Sequence, residues 1–425
     1  MKIILINPEA PVNRPEFKGF LGEPLGLLYV ASVLEQQGHE VKVLDLQMNP
    51  NLNLAEEMNS YEPRIVGITS VTANFHKAEK IAKFIRQNFS PFIVLGGVHA
   101  TFTSNELLQH SEFNAYVIGE AEYTMPDLIN AIEDGNNLNK VNGLAYTANG
   151  KTFCNNPRPL VNDLDTIPFP ARHLINMQEY ISHKGSALLI STRGCPYSCI
   201  FCSTSKLHGN QYRVRSIDNL MKEIGLILGD YAPRSLAFAD DNFTFDRLRV
   251  KRFCNAILAQ RYDIPWSCSA RVDNVDEELL NIMKNSGCKE IFFGIESGSQ
   301  DILNKARKGF KIKHAENALK LARKYNIKTV ASFILGLPME NKNTIRETIE
   351  FAKKINADSY IFSFSTPFPG TDLQKNMNKL GCKVINNNLS QYTCHHPVIE
   401  SDALSISDLQ SAWIDAALQF AKKVD

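Results

Sequence analysis

The chain has 425 residues, with 46 Lys+Arg against 45 Asp+Glu and a hydrophobic share of 44%. That length predicts two or three domains, and the apolar share excludes wholesale disorder. A formal net charge of +1 speaks against a polybasic nucleic-acid or membrane-surface protein. No apolar run approaches the ~20 residues of a membrane span. The opening MKIILINPEAP lacks the apolar core and cleavage site of a signal peptide, so the expected compartment is the cytoplasm. Nine cysteines, an odd count in a reducing compartment, are not read as disulfides.

Residues 1–135 alternate short apolar runs (2–6, 41–44, 65–68, 92–95, 115–118) with helix-spaced stretches (25–37, 78–88, 104–110, 125–133). The rhythm predicts a parallel, doubly wound (Rossmann-like) sheet, whose ligands sit in the loops at the carboxyl ends of the strands. Residues 136–186 are punctuated by Asn and Pro. They predict a hairpin (143–146 and 152–154, turning at Asn149-Gly150) and then an extended linker. From residue 187 the rhythm resumes. Strands are expected at 187–191, 235–239, 265–269, 290–295, 329–335 and 359–364, with helices at 217–228, 246–260, 276–285, 315–325 and 342–354. These repeats predict a partial (β/α)6 barrel over 187–371, with its site at the C-terminal strand ends. The tail, 372–425, holds a polar stretch and a final amphipathic helix near 407–422.

After the first barrel strand comes Arg193-Gly194-Cys195-Pro196-Tyr197-Ser198-Cys199-Ile200-Phe201-Cys202. Thiolates this close wrap one small metal centre. Two centres suit the spacing. One is zinc, with His208 as fourth ligand; the other is a [4Fe–4S] cluster held by three thiolates, with one iron left open to a reacting ligand. Structural zinc sites usually use two separated pairs, which favours the cluster. Cys154, Cys254, Cys268, Cys288, Cys382 and Cys394 are scattered and read as small apolar residues.

With Phe201 as its aromatic, this motif resembles that of the radical S-adenosylmethionine (SAM) superfamily. The resemblance implies that Cys195, Cys199 and Cys202 hold a [4Fe–4S] cluster and that SAM chelates the open iron. One electron then cleaves SAM to a 5′-deoxyadenosyl radical, which the barrel encloses. Strand-end motifs extend the likeness in order: Phe238-Ala239-Asp240-Asp241-Asn242-Phe243, Ser267-Cys268-Ser269-Ala270-Arg271, Phe293-Gly294-Ile295-Glu296-Ser297-Gly298, Ile334-Leu335-Gly336-Leu337-Pro338 and Thr366-Pro367-Phe368-Pro369-Gly370-Thr371. They imply a SAM site of Phe201, Asp240, Asp241, Ser269, Arg271, Glu296, Ser297 and Gly336. In it Glu296 takes the amine or ribose, Arg271 the carboxylate, and Gly336 lets the backbone approach the adenine.

A doubly wound domain ahead of such a barrel is similar to the cobalamin-binding subgroup, over nearly the whole chain to about Thr371. The matching stretches include Val66-Gly67-Ile68-Thr69-Ser70, Val94-Leu95-Gly96-Gly97-Val98-His99-Ala100-Thr101 and Val117-Ile118-Gly119-Glu120-Ala121-Glu122. The likeness implies that Thr69, Ser70, Val71, Thr72 and Asn74 line the lower face of the corrin and that Gly96 and Gly97 leave room for its nucleotide tail. Val98, Gly119 and Glu120 are expected contacts beside them. Other cobalamin proteins ligate cobalt through the His of Asp-x-His-x-x-Gly; Asp45-Leu46-Gln47 has none, as is common in this subgroup. His76 and His99, near strand ends, are alternatives to ordinary loop histidines.

The implied activity is hydrogen abstraction followed by cobalamin-dependent methylation of an unactivated carbon. Cyclisation or rearrangement, with or without cobalamin, is the alternative, and a non-catalytic cobalamin or metal sensor is the reading from another class. A methylthiotransferase would need three more N-terminal cysteines, and only Cys154 precedes Cys195. Expected partners are a small-molecule or peptide substrate and an external one-electron donor such as a flavodoxin or ferredoxin, with no nucleic acid. Lys305, Arg307, Lys308, Lys311 and Lys313 read as a solvated basic loop, and His395-His396 as a loop near the active mouth.

Overall fold

Ile3, Ile4, Leu5 and Ile6 are all fully buried, which a strand achieves only when both faces of its sheet are covered. They form β1 (Lys2–Asn7) in the first of two compact units, Met1–Lys184 and Gly185–Asp425. The structure, a computed structural model, describes residues 1–10, 22–107, 110–135 and 137–420. Asn136, the 108–109 part of the helix expected at 104–110, and residues 421–422 of the expected tail helix lie outside these.

The first unit continues with β2 (Glu40–Asp45), β3 (Ile65–Thr69), β4 (Phe92–Gly96), β5 (Ala115–Val117), β6 (Leu144–Ala148) and β7 (Lys151–Cys154). The sheet order is β2-β1-β3-β4-β5-β6-β7, parallel through β5 and antiparallel beyond. The helices are α1 (Leu25–Gln36), α2 (Leu54–Tyr61), α3 (Phe75–Asn88), α4 (Val98–Leu107), α5 (Thr124–Glu133) and α6 (Met177–Lys184). Leu28, Ala31 and Leu34 of α1 share one core with Leu128, Ile129 and Ile132 of α5 and with Ile3, Leu5, Ile65 and Val94 of the sheet.

Three elements differ from expectation. The β6–β7 hairpin extends the first sheet instead of standing apart, because β5 offers an edge on which Leu144, Ala145 and Tyr146 become buried. Helix α2 escapes periodicity because it buries only Met58. Its signal was the cap Asn53, whose side chain accepts the Glu56 N–H. Helix α6 lies inside the expected linker and buries Met177, Tyr180 and Ile181.

The second unit opens with β8 (Ser186–Leu189) and a short antiparallel pair, β9 (Thr192–Arg193) and β10 (Arg213–Val214). Then come β11 (Ser235–Phe238), β12 (Trp266–Ala270), β13 (Cys288–Glu296), β14 (Lys328–Leu335) and β15 (Ser359–Phe364). The parallel order β15-β14-β13-β12-β11-β8 is that of a partial barrel, as expected. Its helices are α7 (Thr204–Leu207), α8 (Ile217–Tyr231), α9 (Arg247–Ala259), α10 (Glu277–Asn285), α11 (Gln300–Lys305), α12 (Ile312–Lys324) and α13 (Lys342–Ile355). Ser216, Asp246, Asp276 and Asn341 cap α8, α9, α10 and α13 with side-chain oxygens. Phe238, Phe243, Phe253 and Trp266 interlock with ring centroids 4.6 to 5.8 Å apart, and Trp266 Nε1 donates to the Ser286 carbonyl at 2.9 Å.

Strand β15 is an edge, and the tail covers it. The tail comprises α14 (Asp372–Asn376), the pair β16 (Cys382–Val384) and β17 (Ile399–Ser401), and α15 (Ile406–Phe420). Phe364 N–H donates to the Cys394 carbonyl at 2.7 Å, and Trp413 Nε1 to the Phe362 carbonyl at 2.9 Å. Among the described residues no helix is long and apolar enough to cross a membrane.

Trp266→Ala should lower stability by about 3–5 kcal/mol through cavity formation. Trp266→Phe should cost about 1–3 kcal/mol, because the buried Ser286 carbonyl loses its donor. Urea unfolding followed by near-ultraviolet circular dichroism measures both.

Candidate functional site

The cysteine loop leaves the sheet at Ser191 and Thr192, just past β8. Asp240, buried at the end of β11, fixes that exit. Its Oδ1 accepts the Ser191 and Thr192 N–H groups at 2.7 and 3.1 Å, and its Oδ2 accepts the Ser191 hydroxyl at 2.5 Å. Burial pushes its carboxyl up, and the Ser191 bonds pull it back. Arg249 donates to the Ser191 and Arg215 carbonyls, each at 3.1 Å. Gly194 has φ +92, and a Cβ there would fall 2.2 Å from the Gln211 carbonyl oxygen, so only glycine passes. Ile200 N–H then donates to the Ala306 carbonyl (3.2 Å), and the Ile200 carbonyl accepts Leu373 N–H (2.8 Å).

Cys195, Cys199 and Cys202 are all free thiols. Burial pushes the Cys195 thiol up to about 11, and Cys202, Asp241 and Cys199 add to the rise. Burial also raises Cys199, against the pull of the Lys308 ammonium and the Arg271 guanidinium. Among the described residues, the one set of three metal-ligating side chains with donor atoms within 4.8 Å of one another is Glu79, His110 and Glu112. His208 Nδ1 is engaged by Arg213 Nη2 at 3.1 Å. Three free thiols on one loop, with His208 Nδ1 turned to Arg213, suit a cluster that leaves one iron open.

The residues expected around SAM separate into two groups. Phe201, Ser269 and Glu296 lie at the strand-end face. Phe201 packs on Ile302, Ala306 and Leu337. Ser269 is half-buried on β12. Glu296 ends β13 with φ 74, where the pairing to β14 shifts register, and its Oε1 accepts Lys308 Nζ at 2.7 Å. The others are occupied structurally. Asp240 holds the loop exit. Asp241 is exposed and accepts the Thr204 hydroxyl at 2.8 Å. Arg271 donates to Asp273 through Nε and Nη2, each at 3.0 Å, and to the Lys308 carbonyl at 2.6 Å, with the Tyr197 ring 3.5 Å away. Ser297 pairs with Thr348 at 3.2 Å and accepts Ser299 N–H at 3.1 Å. Gly336 has φ +81, and a Cβ there would meet Leu409 of α15 at 3.0 Å rather than open space.

Two residues escaped the sequence reading. Lys308, grouped there with a solvated loop, is buried against Glu296; an acidic strand end that needs a counter-charge was the available signal. Glu340 is fully buried, and its Oε2 accepts Gly336 N–H (2.7 Å) and Leu337 N–H (3.1 Å). Burial pushes it up to about 8.

In the first unit, the loops after β3 and β4 lock together. Ser70 N–H donates to the Gly96 carbonyl (3.0 Å), and the Ser70 carbonyl accepts His99 N–H (3.2 Å). Gly97, with φ +94, admits this contact; a Cβ there would lie 2.5 Å from the Ser70 oxygen. It therefore serves the lock, whereas Gly96 and Gly119 border open space. Thr69 ends β3 and Val98 begins α4. Val71 is exposed, and Asn74 accepts its N–H at 2.9 Å. Thr72 Oγ1 lies 3.3 Å from His99 Nδ1. Glu120 is turned to the Val161 N–H at 2.8 Å. Burial holds His99 down near 4, and its ring packs on Phe75 at 4.5 Å. Gln47 donates to the Gly22 carbonyl and to Tyr180 Oη, each at 3.2 Å. Buried Ser70 Oγ and His99 Nε2 have no hydrogen-bond partner. An open, glycine-bordered ledge with unmatched polar atoms fits a large amide-bearing ligand such as cobalamin.

The radical SAM superfamily profile matches residues 189–352, and the B12 binding domain profile matches residues 18–129. The chain is 35% identical to the uncharacterized methyltransferase PH0819 of Pyrococcus horikoshii, over 88% of this chain and 82% of the relative. It is 29% identical to the anaerobic magnesium-protoporphyrin IX monomethyl ester cyclase of Rubrivivax gelatinosus, over 96% of this chain and 75% of the relative. The solved structure of the radical SAM methyltransferase TsrM from Kitasatospora setae, with cobalamin and a [4Fe–4S] cluster bound, shares the fold at a TM-score of 0.80 and 17% identity, covering 100% of this chain and 89% of that one. The chain belongs to the radical SAM superfamily, in the branch that carries a B12-binding domain. It is an enzyme, and its cofactors are a [4Fe–4S] cluster, SAM and cobalamin.

Glu340 gives a pH prediction. Its folded pKa, about 8, lies above its unfolded value of 4.5. The folded state therefore keeps a proton that the unfolded state releases, and stability should fall as pH rises from about 4.5 to about 8. Glu340→Gln, which mimics the protonated acid, should flatten that part of the urea-midpoint-against-pH curve; an unchanged slope would remove Glu340 as its source.

Proposed function

We propose that the enzyme methylates an unactivated carbon of a small organic substrate. The reading is carried by the likeness to a methyltransferase over 88% of the chain, and it is supported by a thiol triplet and an open B12-type ledge in the same chain. When bound, the cluster and SAM supply a hydrogen-abstracting 5′-deoxyadenosyl radical, and cobalamin supplies the route for the methyl group.

The chain's own residues then have these roles. Cys195, Cys199 and Cys202 hold the cluster, and Asp240, Arg249, Gly194 and the Ile200 clamp fix where it sits. Glu296 accepts hydrogen bonds from SAM, with Phe201 and Ser269 beside it. Arg271 braces the loop through Tyr197 and Asp273. The Ser70–Gly97 lock shapes the cobalamin ledge, where Gly96, Gly119 and Val71 face the ligand and Ser70 Oγ and His99 Nε2 offer polar contacts. The reaction needs electrons from outside the chain, from a flavodoxin or ferredoxin in the cytoplasm. Cyclisation without methyl transfer is the second reading, favoured by the 29% identity to a cyclase over 96% of the chain.

Anaerobic reconstitution with iron, sulfide and hydroxocobalamin should give about four irons and about one cobalt per chain. A chemical reductant and SAM should then yield 5′-deoxyadenosine. Cys199→Ala should lose both the iron and the deoxyadenosine. Gly97→Ala should lose most of the cobalt while keeping the iron. S-adenosylhomocysteine that appears only with cobalt present supports methyl transfer. Deoxyadenosine without it supports the cyclase reading, and zinc in place of iron sinks both.

A further inference from the structure

Lys308 stands beneath the cysteine loop. Its Nζ lies 5.9 Å from the Phe201 ring centroid, and Phe201 sits between Cys199 and Cys202. The Ile200–Ala306 backbone bond ties the two segments together at 3.2 Å. The ion-pair partner of Lys308 is set with unusual care. Glu296 takes a left-handed φ of 74 at a register shift. A Cβ on Gly294 would meet Glu296 Oε1 at 2.6 Å and Lys308 Nζ at 3.2 Å. Strand, bulge and glycine together leave one place for this ion pair.

We propose that Lys308 is a positioning residue of the cluster site with two effects. It fixes the Glu296 carboxylate in the space that Gly294 leaves open, and its buried charge eases the entry of an electron onto the neighbouring cluster. This rests on the reading that Cys195, Cys199 and Cys202 hold that cluster. Adding an electron to a centre bound by three thiolates adds negative charge in a low-dielectric interior. A fixed cation beside one thiolate offsets it. Hydrogen bonds and charges behind the ligands tune metal sites in this way.

The test uses the full-length, reconstituted chain. Iron is counted first, the cluster midpoint potential is then measured by electron paramagnetic resonance during reductive titration, and SAM affinity is read from the perturbation of the same signal. Lys308→Met should keep its iron, show a more negative midpoint and bind SAM roughly tenfold more weakly. Lys308→Arg should restore most of both. Gly294→Ala keeps the charge but displaces the flexible Glu296 carboxylate. It should weaken SAM binding without the negative shift. A wild-type midpoint and wild-type SAM affinity in Lys308→Met would overturn the proposal. If Lys308→Met takes up no iron, the other two variants decide. A negative shift in Gly294→Ala, or its absence together with unchanged SAM binding, overturns the proposal. A wild-type chain without iron defeats the reading of the cysteines, which the first measurement reveals separately.

Discussion

Asp240 accepts two backbone N–H groups and one hydroxyl at the point where the chain leaves β8, and the cluster chemistry depends on that exit. A loop that carries three closely spaced cysteines spends few residues on its own secondary structure, so its position must be imposed from outside. Buried carboxylates are costly unless every oxygen is matched, and here both are. Arg249 completes the arrangement by donating to the Ser191 carbonyl at the exit and to the Arg215 carbonyl just past β10. The loop is then pinned again at Ile200, from Ala306 on one side and Leu373 on the other. Three anchors of different kinds hold a segment that has no sheet of its own beyond a two-residue pair.

Much of this was legible in the sequence, and the reasons differ by residue. The strand rhythm was readable in the first unit because its parallel strands β1, β3 and β4 are largely buried and appear as apolar runs, and in the second because strands such as β8, β11 and β12 recur between helices with alternating burial. The cysteine loop stood out in the sequence because metal geometry restricts ligand spacing. The paired acids after β11 were not. Asp240 is in phase with buried Phe238 and Asp241 is not, and a shift of one position exchanges an interior anchor for an exposed side chain. Arg271 was read as the partner of a ligand carboxylate; that Asp273, two residues away, accepts two of its N–H groups was not foreseen. Lys308 lies in a run of basic residues that composition alone cannot divide; its inward turn follows from the packing of Phe201 and Phe310. Residues 143–154 were readable as a hairpin, but its attachment to β5 was not, because an edge strand does not announce its partner.

The two units prepare their ligand surfaces by different means. In the second, side chains around the cysteine loop brace one another, as with Asp240 on Ser191, Arg271 on Asp273, Ser297 on Thr348 and Glu296 on Lys308. In the first, the loops are locked backbone to backbone through Ser70, Gly96 and His99, while Ser70 Oγ and His99 Nε2 are left buried without a partner. Native interiors keep few such groups, and each asks for an explanation. A ligand rich in amides answers it for the ledge. The low pKa of His99 means that the imidazole is neutral, so one ring nitrogen accepts while the other donates.

The two buried glutamates of the barrel show why strain and charge gather where they do. Glu340 sits just past the end of β14 and is satisfied on one oxygen by the Gly336 and Leu337 N–H groups. It has no cation, and burial pushes its pKa up; a turn is shaped by a group that stays mostly protonated near neutrality. Glu296 is held by a cation instead, on a backbone that a non-glycine residue adopts at a cost of about 1–3 kcal/mol. A structural carboxylate has no need of that conformation, since the Glu340 arrangement was available at the neighbouring strand end. What the left-handed turn and the lysine together achieve is a carboxylate held in one place at the strand-end face by its ion pair.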